Sequence, residues 1–130
     1  MQGFRLYDYN KNSILKPDED WMFLMTDRGT VLNFNSRTGD ITPFPHRAMG
    51  IELQPLICYH EGTPLFAGDA VQRTYGNPYR FIEIMYDEDT GEVKFVGHDT
   101  GKAYRYSDLR TEISGIMNCV EYCRWKNAHK

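Results

Sequence analysis

Cysteine is scarce and odd in number, with three in 130 residues. Such a trio gives no disulfide framework, and reduced thiols in a cytoplasm are the natural reading. Long hydrophobic runs are missing too. No stretch approaches the roughly 18 apolar residues of a membrane span, and the opening Met-Gln-Gly-Phe-Arg lacks the apolar run of a signal peptide. Charge of one sign is also missing: 15 Lys and Arg stand against 18 Asp and Glu, for a net charge of −3. This argues against a protein that grips nucleic acid by neutralising phosphates, and it is too mild for an acidic tail. Residues 1–65 carry 6 basic and 8 acidic side chains, residues 66–130 carry 9 and 10. Only residues 124–130 lean basic, through Arg124, Lys126 and Lys130, and they read as a solvated tail. Catalytic signatures are absent as well. There is no Gly-x-Ser-x-Gly, no His-Glu-x-x-His and no Gly-rich phosphate loop followed by Lys. His46, His60, His98 and His129 fall in segments that read as loops or tails. The expectation is a non-enzymatic protein of the cytoplasm.

What is abundant is aromatic: nine Tyr, seven Phe and two Trp, 14% of the chain, where a disordered chain is poor in them. The local signals are mainly those of strands. Phe4 and Leu6 open a short extended run that ends in Tyr7-Asp8-Tyr9-Asn10 turn chemistry. Residues 16–20 are a polar breaker, and 21–25 an apolar run too brief to assign as helix. In Thr30-Val31-Leu32-Asn33-Phe34-Asn35, Leu32 and Phe34 share one side and Val31 takes the other. Thr42-Pro43-Phe44-Pro45-His46 reads as a connector, because two prolines remove ladder donors. Leu56-Ile57-Cys58-Tyr59 is a short buried-strand candidate.

One turn recurs. Arg37-Thr38-Gly39-Asp40, Asp89-Thr90-Gly91-Glu92 and Asp99-Thr100-Gly101-Lys102 each offer a Gly for positive φ, with Asp to bond nearby backbone N–H groups. Around the last two, residues 81–86, 93–96 and 103–106 are strand-like, so the spacing predicts a β-meander. Ser107-Asp108 is placed to cap a helical turn. From Asn118 to Trp125 helix and strand are equally defensible.

These landmarks resemble the YopX-like family of phage and prophage proteins. Phe4-Arg5-Leu6-Tyr7-Asp8 looks like its "F-R-x-(aromatic)-D" opening. Gly62 followed by Leu65-Phe66-Ala67-Gly68-Asp69-Ala70-Val71 is similar to its "G-x-x-I-Y-E-G-D-I-V" segment. Residues 82–95 match the hairpin that follows, and residues 112–117 resemble its closing strand. The acid before Gly-Asp is Ala67 here, the usual Trp is Tyr7, and the chain's ending does not match. The resemblance implies an all-β, β-dominated fold with little helix: an N-terminal strand unit (1–55) packed on a small SH3-like barrel and meander (56–117), with a C-terminal extension (118–130). It also implies a phage setting, and it implies no activity. Gly68 and Asp69 read most simply as a structural turn, with a permissive backbone and a capping carboxylate ahead of a buried strand.

Three site readings follow. Cys58, His60, Cys119 and Cys123 supply a Cys3His set with zinc-type ligands. Their spacing is not that of a standard knuckle, and small core cysteines are the plainer reading, so no metal or cofactor is expected. Asp87-Glu88-Asp89-Thr90-Gly91 lacks the glutamate an EF-hand needs at its twelfth position, where His98 stands, and reads as a solvated hairpin turn. Arg73, Tyr75, Tyr79, Arg80, Tyr104 and Arg105 join aromatic planes to guanidinium groups around the meander, as a ligand surface does. Half-buried Tyr that simply covers a small barrel is the competing account. The expected function is a phage accessory protein that binds and modulates a host component. It would inhibit a bacterial defence system by sequestering a nucleotide at a subunit interface of a homo-oligomer, or by blocking a host protein. A nucleic-acid-binding accessory module is the alternative, and a small metal-dependent enzyme the third reading.

Overall fold

Short polar turns, more than long apolar runs, organise this chain. We describe residues 3–74 and 81–129 in a computed structural model, which is mostly strand with little helix. Contacts divide it into two compact units, residues Leu6–Leu53 and the rest of the described chain.

In the first unit, the end of β1 (Phe4–Asp8) pairs antiparallel with β2 (Ser13–Ile14). The Asp8 carboxylate accepts from the Asn10 and Lys11 N–H groups and closes that hairpin. A three-stranded antiparallel sheet follows, β3 (Trp21–Met25), β4 (Val31–Asn35) and β5 (Ile41–Pro43), with β4 central. The apolar run 21–25 is thus a strand. Pro43 is tolerated because β5 lies at the sheet edge, where no ladder donor is required of it. Ile41-Thr42-Pro43 is therefore strand, and the connector expected from residue 42 begins only at Phe44.

The second unit opens at β6 (Ile51–His60), a strand that starts in the first unit and is longer than residues 56–59 alone promised. It pairs with β7 (Thr63–Phe66), with an irregularity between Leu56 and Cys58. Then come β8 (Ala70–Arg73), β9 (Phe81–Tyr86), β10 (Val93–Gly97), β11 (Ala103–Tyr104), the single-turn α1 (Tyr106–Leu109), β12 (Ile113–Met117) and α2 (Cys119–Ala128). The strands form one antiparallel sheet in the order β11-β10-β9-β8-β12, curled into half a barrel. The expected meander is present as β9, β10 and β11, except that Tyr106 begins α1 instead of extending β11.

The recurrent turn is one device used three times. Asn35, Asp87 and Gly97 occupy the same place, and each exchanges backbone bonds with residues four and five further on. Gly39, Gly91 and Gly101 take φ of 80°, 73° and 69° in the fourth position. The Asn35 and Asp87 side chains each accept two loop N–H groups, and a Thr Oγ1 accepts the N–H two residues on in all three. Gly97 has no side chain to do this, so in the third copy the Thr100 hydroxyl joins the backbone bonds without a carboxamide or carboxylate at the first place.

Period-2 alternation divides the sheet's side chains. Ile82, Ile84, Val71 and Phe95 face a core completed by Leu65 and Leu109. Ala70 and Phe81 face the other way, onto Tyr122 of α2, with Trp125 edge-on to Phe81 at 4.6 Å. Glu83 meets Lys126 of the same helix at 3.3 Å. The segment from Asn118 to Trp125, open between helix and strand in sequence, is the cap and first part of α2. Asn118 is that cap, its side chain accepting the Glu121 N–H at 2.9 Å.

Two glycines separate conformational strain from crowding. At Gly91 a Cβ meets nothing within 4 Å, so Gly91→Ala should cost only the left-handed penalty of about 1 kcal/mol. At Gly68 (φ 91°) a Cβ would also lie 2.7 Å from Gln54 Cδ, inside a packed region, so Gly68→Ala should cost about 3 kcal/mol. Urea unfolding of the two variants checks the difference.

Candidate functional site

The Gly68-Asp69 turn joins three parts of the second unit. Positive φ at Gly68 sends its N–H to the Ile84 carbonyl, and the Asp69 carbonyl accepts the Ile84 N–H. The Asp69 carboxylate, 2% exposed as a residue, accepts the Phe66 N–H at 2.9 Å and the N–H of Cys119 at the start of α2. It also pairs with the Arg5 guanidinium. Arg5 Nε donates to Gln54 Oε1 at 2.7 Å, and the guanidinium lies 4.7 Å above the Phe66 ring. Burial pushes the Asp69 carboxyl above its usual range, against the pull of Arg5 and the two N–H groups. The carboxylate's acceptors are thus taken up by the chain's own donors.

The meander surface expected to hold a ligand is described only in part, because Tyr75, Tyr79 and Arg80 lie outside the described residues. Arg73 and Tyr104 do come together, with the guanidinium 5.2 Å above the ring. Arg73 is engaged by the chain itself: its Nη2 meets Glu112 at 3.0 Å, and the pair is largely buried. The ion pair takes up Nη2, while the buried Nε has no hydrogen-bond partner among the described residues. Arg105 is exposed at the N-terminal edge of α1, on extended backbone.

The zinc candidates are not gathered. Among the described residues no three His, Cys, Asp or Glu side chains stand where they could hold a metal ion. His60 Nδ1 is bonded to the Tyr106 hydroxyl at 2.9 Å. Burial raises the Cys58 thiol pKa, which disfavours the thiolate a metal needs. Asp87–Gly91 is the hairpin turn described above.

Another surface is the more distinctive one. Register in the β3-β4-β5 sheet aligns Met22, Phe34 and Ile41 in one row and Leu24, Leu32 and Pro43 in the next. Directly paired residues share a face, so six apolar side chains and no charge occupy one side of this sheet. Met22, Leu24 and Ile41 are 39%, 37% and 58% exposed; Leu32 and Phe34 are half-buried. On the other side Phe23 and Val31 are buried. The turns fix this register: Thr26 N–H donates to Thr30 C=O at 2.9 Å, and Asn35 N–H to Asp40 C=O at 2.9 Å. A slip of one residue would exchange the two faces. The placing of Leu32 and Phe34 opposite Val31 was legible in the alternation. The exposure of the Leu32 side was not.

Removing Arg5 would strand a buried carboxylate. Arg5→Ala should cost about 3–5 kcal/mol in denaturant unfolding. The sign of the pH effect follows from the raised Asp69 pKa. Folding favours the protonated form, so this group's stabilising share is full below its unfolded value, about 3.9, and declines as pH rises through the folded value. Asp69→Asn does not titrate there. The stability of the wild type relative to Asp69→Asn should therefore fall as pH is raised from about 4 toward neutrality.

Comparison with protein-family models, with curated proteins and with solved structures gave no match to this chain.

Proposed function

We propose that this chain is a non-enzymatic binding module that blocks a bacterial host protein, docking through the apolar face of β3-β4-β5. The observation that carries the reading is the uncharged face itself. The largest contiguous apolar patch on a soluble chain is often functional, and interface centres are depleted in charge and enriched in Met and aromatics. Three strands about 4.8 Å apart, of five, five and three residues at about 3.4 Å each, give roughly 210 Å² of face. That is about a quarter of the 800 Å² or so that one partner contributes to a standard interface. The face therefore serves as an apolar centre and needs a polar rim. Asp20 and Arg37, exposed and 3.9 Å apart, stand beside the sheet to supply one.

The phage setting rests on the YopX-like resemblance. Arg5 of the opening landmark and Asp69 of the Gly-Asp landmark are one buried ion pair, which supports treating the two as parts of a single pattern. In that setting a component of a bacterial defence system is the partner of first choice.

The test substitutes Ile41→Glu and Met22→Glu, exposed positions where a charge leaves the fold intact. Wild-type protein should retain a stoichiometric host protein from bacterial lysate, and the double variant should lose at least about tenfold in affinity for that purified partner, since one buried unpaired charge suffices for this. Retention of the partner by the folded variant overturns the docking face. A concentration-dependent dimer that Ile41→Glu abolishes, seen in sedimentation with no host protein bound, replaces the host partner by a second copy of the chain.

A further inference from the structure

The opposite side of the same sheet carries a cleft of about 290 Å³. Phe23 and Phe44 line it with ring centroids 5.0 Å apart, and Trp21, half-buried, adds an indole. Asn33 of the central strand and Thr42 of β5 lie in one row with Phe23 and bring a carboxamide and a hydroxyl. Lys16 and Asp18 line it from the preceding segment, which is held to the sheet by the Trp21 N–H donating to the Asp18 carbonyl at 2.9 Å. Among the described residues, no side-chain hydrogen bond or ion pair engages Lys16, Asp18, Asn33 or Thr42. The space beside Arg73 and Tyr104 is about 10 Å³, room for a single water.

We infer that this cleft is a binding site for a ribonucleoside monophosphate. The lining selects that class by elimination as well as by fit. A site for a bare anion would not place Asp18 beside the ligand, and an aromatic cage for a quaternary ammonium would not include Lys16. A plain apolar ligand would leave Asn33 without a partner. A nucleotide uses every group. Its base is a π-face for Trp21 and Phe44, and the Asn33 carboxamide offers the paired donor and acceptor that match a base edge. The Asp18 carboxylate accepts from ribose hydroxyls, and the Lys16 ammonium is a point charge for the phosphate. The volume lies at the bottom of the range for small-molecule sites, roughly 300–1,000 Å³, and so fits one nucleotide and not a strand. The inference does not rest on the docking reading, which concerns the other face.

The site contains one of the chain's two tryptophans, so Trp125→Phe isolates its fluorescence. In that background AMP, GMP, CMP and UMP are each titrated to about 5 mM, beyond the weakest affinity of interest. At least one should quench Trp21 saturably, with the same midpoint by calorimetry in the wild-type chain. Lys16→Ala should weaken that nucleotide about tenfold and its nucleoside less than about twofold, as a phosphate contact requires. Asn33→Ala should weaken both about tenfold. No saturable signal from any of the four overturns the inference. So does equal affinity of the wild type and Lys16→Ala for the nucleotide; Lys16 is exposed, so that variant folds whatever Asn33→Ala does.

Discussion

The ion pair between Arg5 and Asp69 is the constraint on which the second unit depends. One carboxylate, almost wholly buried, holds the chain's opening strand through Arg5, the β7-β8 turn through the Phe66 N–H and the start of α2 through the Cys119 N–H. Its position follows from Gly68, whose positive φ turns the chain so that the Asp69 backbone pairs with Ile84 while its side chain points back to Phe66. Gln54 fills the space a Cβ would need and holds the other edge of Arg5. A buried ion pair is weak evidence of net stability, because desolvation offsets the attraction. The raised Asp69 pKa says the same of this one. What the cluster secures is uniqueness of arrangement: three segments far apart in sequence must all be in place before the carboxylate has its partners.

That dependence explains what was legible in the sequence. The Thr-Gly hairpins were, because every bond in them lies within six residues. So was the meander, whose strands are joined by those hairpins. Arg5 and Asp69 are 64 residues apart, and no local pattern links them; they surfaced only as separate landmarks of a resemblance. The same distance problem hides the ion pair of Arg73. Its neutralising partner Glu112 lies 39 residues on, so in sequence the guanidinium looked available. The α2 segment carries signals of helix that its composition offsets. Asn118 with Glu121 three residues on is a capping pattern, and Cys119, Tyr122 and Trp125 follow at helical spacing. Propensity over so short and mixed a segment is neutral, which is why helix and strand stood level.

The apolar face was half legible for a different reason. Alternation shows which residues share a side, but only when the two sides differ in polarity does it show which side is buried. In Trp21-Met22-Phe23-Leu24-Met25 every position is apolar, so the period carries no information. Only the structure shows Phe23 buried and Met22 and Leu24 open to solvent. The cleft behind the sheet needs the 16–18 segment folded back toward it, again a contact that no alternation encodes.

A three-stranded sheet needs one covered face to be stable, and this one has it in Phe23 and Val31. Folding therefore gives no reason for the second face to be apolar. A polar Leu24, Ile41 or Met22 would serve the strand equally well and would lower the risk of association. The turns also hold the sheet in a single register, so the face is a fixed surface instead of an average over slipped ones. An uncharged patch maintained at a cost in solubility, on a rigid support, is the arrangement expected of a surface that is covered when the protein works. The stabilising cluster and this surface are built from different residues, Arg5, Gln54 and Asp69 in one unit and Met22 to Pro43 in the other. Changes that test the proposed docking face are therefore separable from changes that unfold the chain.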